Sequence, residues 1–216
     1  VIFDVDGTLV DSNDAHAHAF VEAFESCGYK VPFDPVRRLI GKGADKLIPQ
    51  LIGRYDAALA EHKKAIFNAR YLPRLRAFPG VEDLLRFLTA RERHLAVASS
   101  AGKDELRSLL EVARAARYFE ETTDADDAEN SKPDPDIVQA ALAKLGLPAE
   151  RCVLIGDTPY DARAAREAGV RFIGVRCGGL WRDEELQPAL GIYEGPAELL
   201  TQAGAWLRDC APRIPS

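Results

Sequence analysis

Asp4 and Asp6 stand one residue apart at the end of a short apolar run, Val1–Ile2–Phe3, and are followed by Gly7, Thr8, Leu9, Val10, Asp11 and Ser12. Alternate residues of an extended strand point the same way, so the two carboxylates converge where the strand ends. Gly7 tolerates positive φ and allows a sharp turn there. Two carboxylates so close repel each other unless a cation lies between them or one keeps a proton. The pair therefore suits metal binding or proton transfer, although an acidic Asp-Gly turn is also an ordinary way to leave a strand.

Three further stretches carry residue types suited to the same chemistry. The apolar run Leu95–Ala98 ends in Ser99 and Ser100, with Gly102 and a helical pattern after them. Hydroxyls and backbone amides at such a junction can hold an anion or cap the helix. Lys132 precedes Pro133, and Pro135 follows two residues later. The prolines stiffen this loop and favour extended geometry before each of them. A rigidly presented ammonium suits a phosphate oxygen or a carboxylate. Finally, Cys152–Ile155 runs into Gly156, Asp157, Thr158, Pro159, Tyr160 and Asp161. Asp157 and Asp161 are about one helical turn apart and can face one place, as metal ligands or as helix caps.

These stretches are separated by elements that the periodicity predicts. Apolar residues at three- and four-residue spacing predict helices over 14–27, about 36–40, 44–51 and 54–72, with no convincing strand among them. From Pro79 onward helices alternate with short apolar strands. Helices are expected over 80–91, 103–113, 134–145, 159–168 and 196–208. Strands are expected over 95–98, near 118–123, and over 152–155, 171–175 and 191–193. That alternation implies an α/β, doubly wound, Rossmann-like parallel sheet covered on both faces. Residues 1–13 and 79–216 are expected to form this core domain, and 14–78 an inserted all-helical cap domain. Ligands of open parallel sheets bind at the carboxyl ends of the strands. Every stretch named above falls at such an end.

Bulk composition narrows the partners. The chain has 216 residues, 47% hydrophobic and 29% charged, with a formal net charge of -6. That balance gives no reason to expect nucleic acid or an anionic membrane as a partner. No apolar run approaches the roughly 20 residues of a membrane span. Cys27, Cys152, Cys177 and Cys210 lie far apart and read as reduced thiols of a cytoplasmic protein. The sequence begins inside a strand, lacks an initiating Met and shows no basic signal-peptide region, so a few residues are expected to precede it.

Together the strand ends supply acidic oxygens, a hydroxyl and one ammonium, without His or Cys at metal-ligand spacing. Oxygen donors favour a hard divalent ion, Mg²⁺ above zinc. A hard cation beside a lysine and hydroxyl donors suits a phosphoryl group.

In Asp4–Val5–Asp6–Gly7–Thr8, Ser99, Lys132–Pro133, and Gly156–Asp157 with Asp161, the chain resembles the haloacid dehalogenase superfamily of aspartate-nucleophile phosphatases. The resemblance covers nearly the whole chain, including a helical insertion after the first motif. It implies Asp4 as nucleophile and Asp6 as general acid and base, with Thr8 supporting Asp6 and the loop. It implies phosphoryl binding by Ser99 and Lys132, with Ser100 beside them. Mg²⁺ would be held by Asp4, the backbone carbonyl of Asp6 and Asp157, with Asp161 acting from behind them. The segment Arg37–Arg38–Leu39–Ile40–Gly41–Lys42–Gly43 is similar to the cap loop of phosphoglycolate phosphatase-like members, so Arg38 or Lys42 could meet an anionic substrate; a polar helix connection explains them too. The implied activity is hydrolysis of a small phosphorylated metabolite. Alternatives are a sugar phosphomutase of the β-phosphoglucomutase type, or phosphonoacetaldehyde hydrolase using Lys42 or Lys46. His16, His18, His62 and His94 are read as structural or surface groups. Oligomeric state is not legible.

Overall fold

The computed structural model describes residues 1–210. Its centre is a six-stranded sheet of β1 (Ile2–Phe3), β2 (Ala96–Ala98), β3 (Glu121–Thr123), β4 (Val153–Gly156), β5 (Arg171–Val175) and β6 (Ile192–Tyr193). The spatial order is β3-β2-β1-β4-β5-β6, with every neighbouring pair parallel. Ile2 is in register with Ala96 on one side and Leu154 on the other. The connections thus run outward from β1 in one direction and then, after β4, in the other. That reversal opens a crevice at the carboxyl ends of β1 and β4.

Strand side chains alternate between two cores. Phe3, Val97, Ile155 and Ile173 pack on the face covered by α5 (Val81–Thr89), α6 (Lys103–Val112), α9 (Pro196–Thr201) and α10 (Ala203–Asp209), where Trp206 is buried. Ile2, Ala98, Leu154 and Phe172 pack on the opposite face against α7 (Asp136–Leu145) and α8 (Pro159–Glu167). Burial on both faces is what the unbroken apolar runs of β1, β2 and β4 require.

Between β1 and α5 the chain forms α1 (Asn13–Ser26), α2 (Phe33–Arg37), α3 (Ala44–Ile52) and α4 (Ala57–Ile66). They bury a third apolar cluster including Phe20, Phe24, Val36, Leu47, Ile48 and Leu59. The expected helix over 54–72 is broken up. Asp56 caps α4 by accepting from Leu59 N at 3.1 Å, which starts the helix at Ala57, three residues beyond Arg54. The other end widens into a π-turn, Phe67–Tyr71, and then a 3₁₀ turn at Leu72–Arg74 that holds Pro73. The expected helix over 196–208 is divided at Gln202, and Trp206 Nε1 donates to Leu199 O across the division at 2.8 Å.

Candidate active site

Asp4 leaves β1 with its amide bonded to Ile155 O at 2.9 Å, which fixes it to the neighbouring strand. The next turn is tight: Gly7 adopts φ +76, and a Cβ there would lie 2.3 Å from Asp157 Oδ2. Glycine is therefore required both by the backbone and by the approach of Asp157. Asp157 leaves β4, and a capping box of Thr158 and Asp161 opens α8. The sheet register thus delivers Asp4 and Asp157 side by side at the reversal of strand order.

Lys132 reaches this point from the loop before α7. Its Nζ is 2.5 Å from Asp4 Oδ1 and 2.8 Å from Asp161 Oδ1, with the lysine 1% exposed. The other Asp161 oxygen accepts from Thr158 N at 3.0 Å and Thr158 Oγ1 at 2.6 Å. Carboxylate oxygens of Asp4, Asp157 and Asp161 lie within 4.8 Å of one another. Thr8 Oγ1 spans the cluster, 3.5 Å from Asp4 Oδ2 and 3.4 Å from Asp157 Oδ1.

The electrostatics follow from this crowding. Burial raises Asp4 to about 7; Asp161 and Asp6 add to the rise, and Lys132 opposes it. Burial, Asp4 and Asp161 likewise push Asp157 well above the usual carboxylate range. Desolvation works against the Lys132 charge, but Asp161 and Asp4 outweigh it and raise its pKa. Fully ionised, three buried carboxylates against one ammonium leave two negative charges. One divalent cation would balance them. Asp161 has both oxygens engaged by Lys132 and Thr158, whereas Asp4 Oδ2 and Asp157 Oδ1 meet only the Thr8 hydroxyl. The donor set, all oxygen, thus fits a hard dication on Asp4 and Asp157.

Asp6 points elsewhere. Its Oδ1 accepts from Ser12 Oγ and lies 2.8 Å from His16 Nε2. Burial alone would raise its carboxyl, but the charge and hydrogen bond of His16, the Ser12 hydroxyl and the Lys63 ammonium outweigh burial and hold it at about 2. The His16 ring stacks on Phe67 with centroids 4.0 Å apart, so the π-turn supports it. His16, expected to be merely structural, therefore contacts one of the two aspartates with which the motif began. Asn13, three residues earlier on the same helix face, donates to Asp157 Oδ2 at 2.8 Å. The visible signal was their shared face in the first turn after the motif loop.

The remaining expected residues divide. Ser99 is 1% exposed and its Oγ accepts from Ala101 N at 3.1 Å, shaping the loop after β2. Ser100 and Lys42 line a cleft of about 390 Å³ with Asp4, Asp6, His16, Lys63 and Glu105. Ser100 Oγ donates to Gly41 O at 3.4 Å, and Lys42 Nζ donates to Gln50 Oε1 at 2.8 Å. Arg38 is outside this lining. Its guanidinium lies over the Trp181 ring, 5.6 Å from the centroid, and its carbonyl accepts from Tyr160 OH at 2.6 Å. Arg38, expected to meet an anionic substrate together with Lys42 or in its place, is held here beside the aromatic side chains of Trp181 and Tyr160.

The profile of the haloacid dehalogenase-like hydrolases matches residues 1–175. The chain belongs to that family. A phosphoglycolate phosphatase of Caulobacter vibrioides is 35% identical over 188 residues, covering 82% of this chain and 79% of that protein. A probable phosphatase, IndB, of Dickeya dadantii is 34% identical over 189 residues, covering 82% and 81%. The crystal structure of a hydrolase from Pseudomonas syringae superposes with a TM-score of 0.87 at 30% identity, covering 94% of this chain and 96% of that one. This member is thus an enzyme on the phosphatase side of the family, with the family's parallel sheet at its core. No helix among the described residues is long and apolar enough to cross a membrane.

Proposed function

We propose that this hydrolase is a Mg²⁺-dependent phosphatase that cleaves a small phosphate monoester through a phosphorylated Asp4. The observation that carries this reading is the placement of Lys132 Nζ 2.5 Å from Asp4 Oδ1 and 2.8 Å from Asp161 Oδ1, beside a cluster of buried carboxylates from the ends of β1 and β4 and from α8. Asp4, Asp157 and the backbone carbonyl of Asp6 would hold Mg²⁺, which when bound supplies the charge neutralisation that a phosphate dianion needs to approach a carboxylate.

The protein's own groups account for the other steps. Lys132 orients the Asp4 carboxylate through Oδ1, and its ammonium would help neutralise the phosphoryl oxygens as a carboxylate oxygen of Asp4 attacks phosphorus. The P–O bond to the alcohol breaks as the bond to Asp4 forms, giving an acyl phosphate that water later cleaves. Asp6 manages the proton. Held ionised beside His16, it is ready to take a proton from the attacking water in the second half. In the first half the leaving oxygen needs a proton, and the His16 Nε2 to Asp6 Oδ1 contact at 2.8 Å provides a route for one.

We assign the helical segment 14–78 as a cap over this centre. Support comes from contacts across the cleft: Gly43 N donates to Ser131 Oγ at 3.1 Å, Lys46 Nζ to Ser131 O at 2.7 Å, and Lys63 pairs with Glu105 at 3.1 Å. A seated cap limits water and selects the leaving group. The relatives named phosphoglycolate phosphatase and the Lys42 and Lys63 side chains in the cleft support a small anionic leaving group. Free thiols at Cys27, Cys152 and Cys177 support a reducing, cytoplasmic setting. The test is release of inorganic phosphate from a panel of phosphometabolites with and without Mg²⁺. Metal-dependent turnover of a small monoester is expected, and equal turnover in EDTA would contradict the reading.

A further inference from the structure

Arg37 ends α2 inside the helical insertion, yet it is 6% exposed and aimed at the core sheet. Its Nε donates to Asp14 Oδ1 at 2.5 Å, and its Nη2 donates to the carbonyl of Gly178 in the loop after β5. Its Nη1 is buried without a partner. A buried guanidinium is costly unless its contacts serve to fix something, and the carbonyl it grips is shared. Asn13 Nδ2 donates to the same Gly178 O at 3.3 Å and to Asp157 Oδ2 at 2.8 Å. Gly178 itself presses on Asp157: a Cβ there would lie 1.8 Å from Asp157 Oδ2. Arg37, Gly178 and Asn13 thus form one polar chain ending on a carboxylate of the central cluster.

We propose that Arg37 is a positioning residue for Asp157, acting from the insertion through the Gly178 carbonyl and the Asn13 amide. This rests on the reading that Asp157 holds Mg²⁺. Outer groups that orient a metal-ligating carboxylate control affinity for the ion. Because Arg37 belongs to the insertion and Asp157 to the sheet, seating of the insertion and binding of the metal strengthen each other. Linkage requires that coupling to act in both directions.

The test is titration calorimetry of Mg²⁺ into Arg37→Met, Arg37→Lys, Asp157→Asn and the unaltered protein, with kcat and KM measured at saturating Mg²⁺. Methionine keeps the stem volume and removes every donor. Its dissociation constant for Mg²⁺ should rise about tenfold or more, with kcat at saturating metal changed by less than about threefold. Arg37→Lys keeps the charge but cannot span Asp14 and Gly178 together, so it should fall between. Asp157→Asn should bind no Mg²⁺. Unaltered Mg²⁺ affinity in a folded Arg37→Met protein overturns the inference and leaves the metal assignment standing. Unaltered affinity in Asp157→Asn overturns the metal assignment, and the inference with it. Should the methionine variant not fold, Arg37→Lys decides by the same constant, and wild-type affinity there overturns the inference.

Discussion

His16 Nε2 and Asp6 Oδ1 are 2.8 Å apart, with the two side chains only 6% and 15% exposed where they line the cleft. This places a hydrogen-bonded histidine behind the carboxylate assigned to proton transfer. Replacing His16 with Asn should lower kcat about 10²-fold on alkyl phosphates, the scale of a lost general acid. The loss should be much smaller on aryl phosphates, whose leaving groups depart without a proton. Comparing the two substrate types checks this, and equal losses would assign His16 a packing role.

Lys63 and Glu105 form a buried ion pair across the cleft, with side chains 9% and 10% exposed. Lys63 Nζ also lies over the Phe20 and Phe67 rings, 5.2 and 4.8 Å from their centroids. Glu105→Gln leaves the ammonium without its counter-charge and should cost about 3 kcal/mol of stability. Lys63→Met combined with Glu105→Leu should recover most of that loss. Urea denaturation of Glu105→Gln, of Lys63→Met and Glu105→Leu singly, and of the double variant measures the coupling.

The metal-free protein should lose stability as pH rises. Asp4 has a folded pKa of about 7 against 3.8 when unperturbed, so between these values the folded state binds more protons than the unfolded one. Stability then falls as pH climbs through that window, and a bound dication removes the penalty by displacing the proton. The rise in Tm caused by Mg²⁺ should therefore be larger at about pH 8 than at about pH 5.5. Thermal scans with Mg²⁺ and with EDTA at both pH values check the sign.

Gly7→Ala should damage activity far more than it changes the far-ultraviolet dichroism that reports secondary structure. The new Cβ would meet Asn13 Nδ2 at 2.1 Å and Asp157 Oδ2 at 2.3 Å, besides the strain of φ +76. Displacing Asp157 by even part of an ångström should reduce kcat/KM by about 10²-fold. Steady-state kinetics on a variant with wild-type dichroism gives the answer.

The parallel sheet was legible because its central strands β1, β2 and β4 are apolar runs ended by chemistry-bearing residues. Asp4, Lys132, Asp157 and Asp161 could be singled out since each sits at a strand end or the loop beside one, and the sheet then assembled them. Arg37, Asn13 and His16 could not be ranked from sequence. Their roles depend on how α1 and α2 lie against the loops after β1 and β5, which local pattern does not encode. The same holds for Lys63 and Glu105, 42 residues apart and paired only across the cleft. The break of the 54–72 helix is not visible in the sequence because the π-turn keeps a helical spacing while it carries Phe67 under His16. Arg38 follows the same logic: its charge suggests a substrate contact, and its place over Trp181 depends on packing that the sequence does not show.

The central claim is that the fourth residue carries the phosphoryl group. Rapid acid quench during turnover of a small phosphate monoester with Mg²⁺, followed by peptide mass spectrometry, tests it most directly. The account predicts a mass gain of one phosphoryl group on the peptide containing Asp4, absent in Asp4→Asn, which should also lose turnover. A phosphoryl group on any other residue, or undiminished phosphate release by Asp4→Asn, would contradict it.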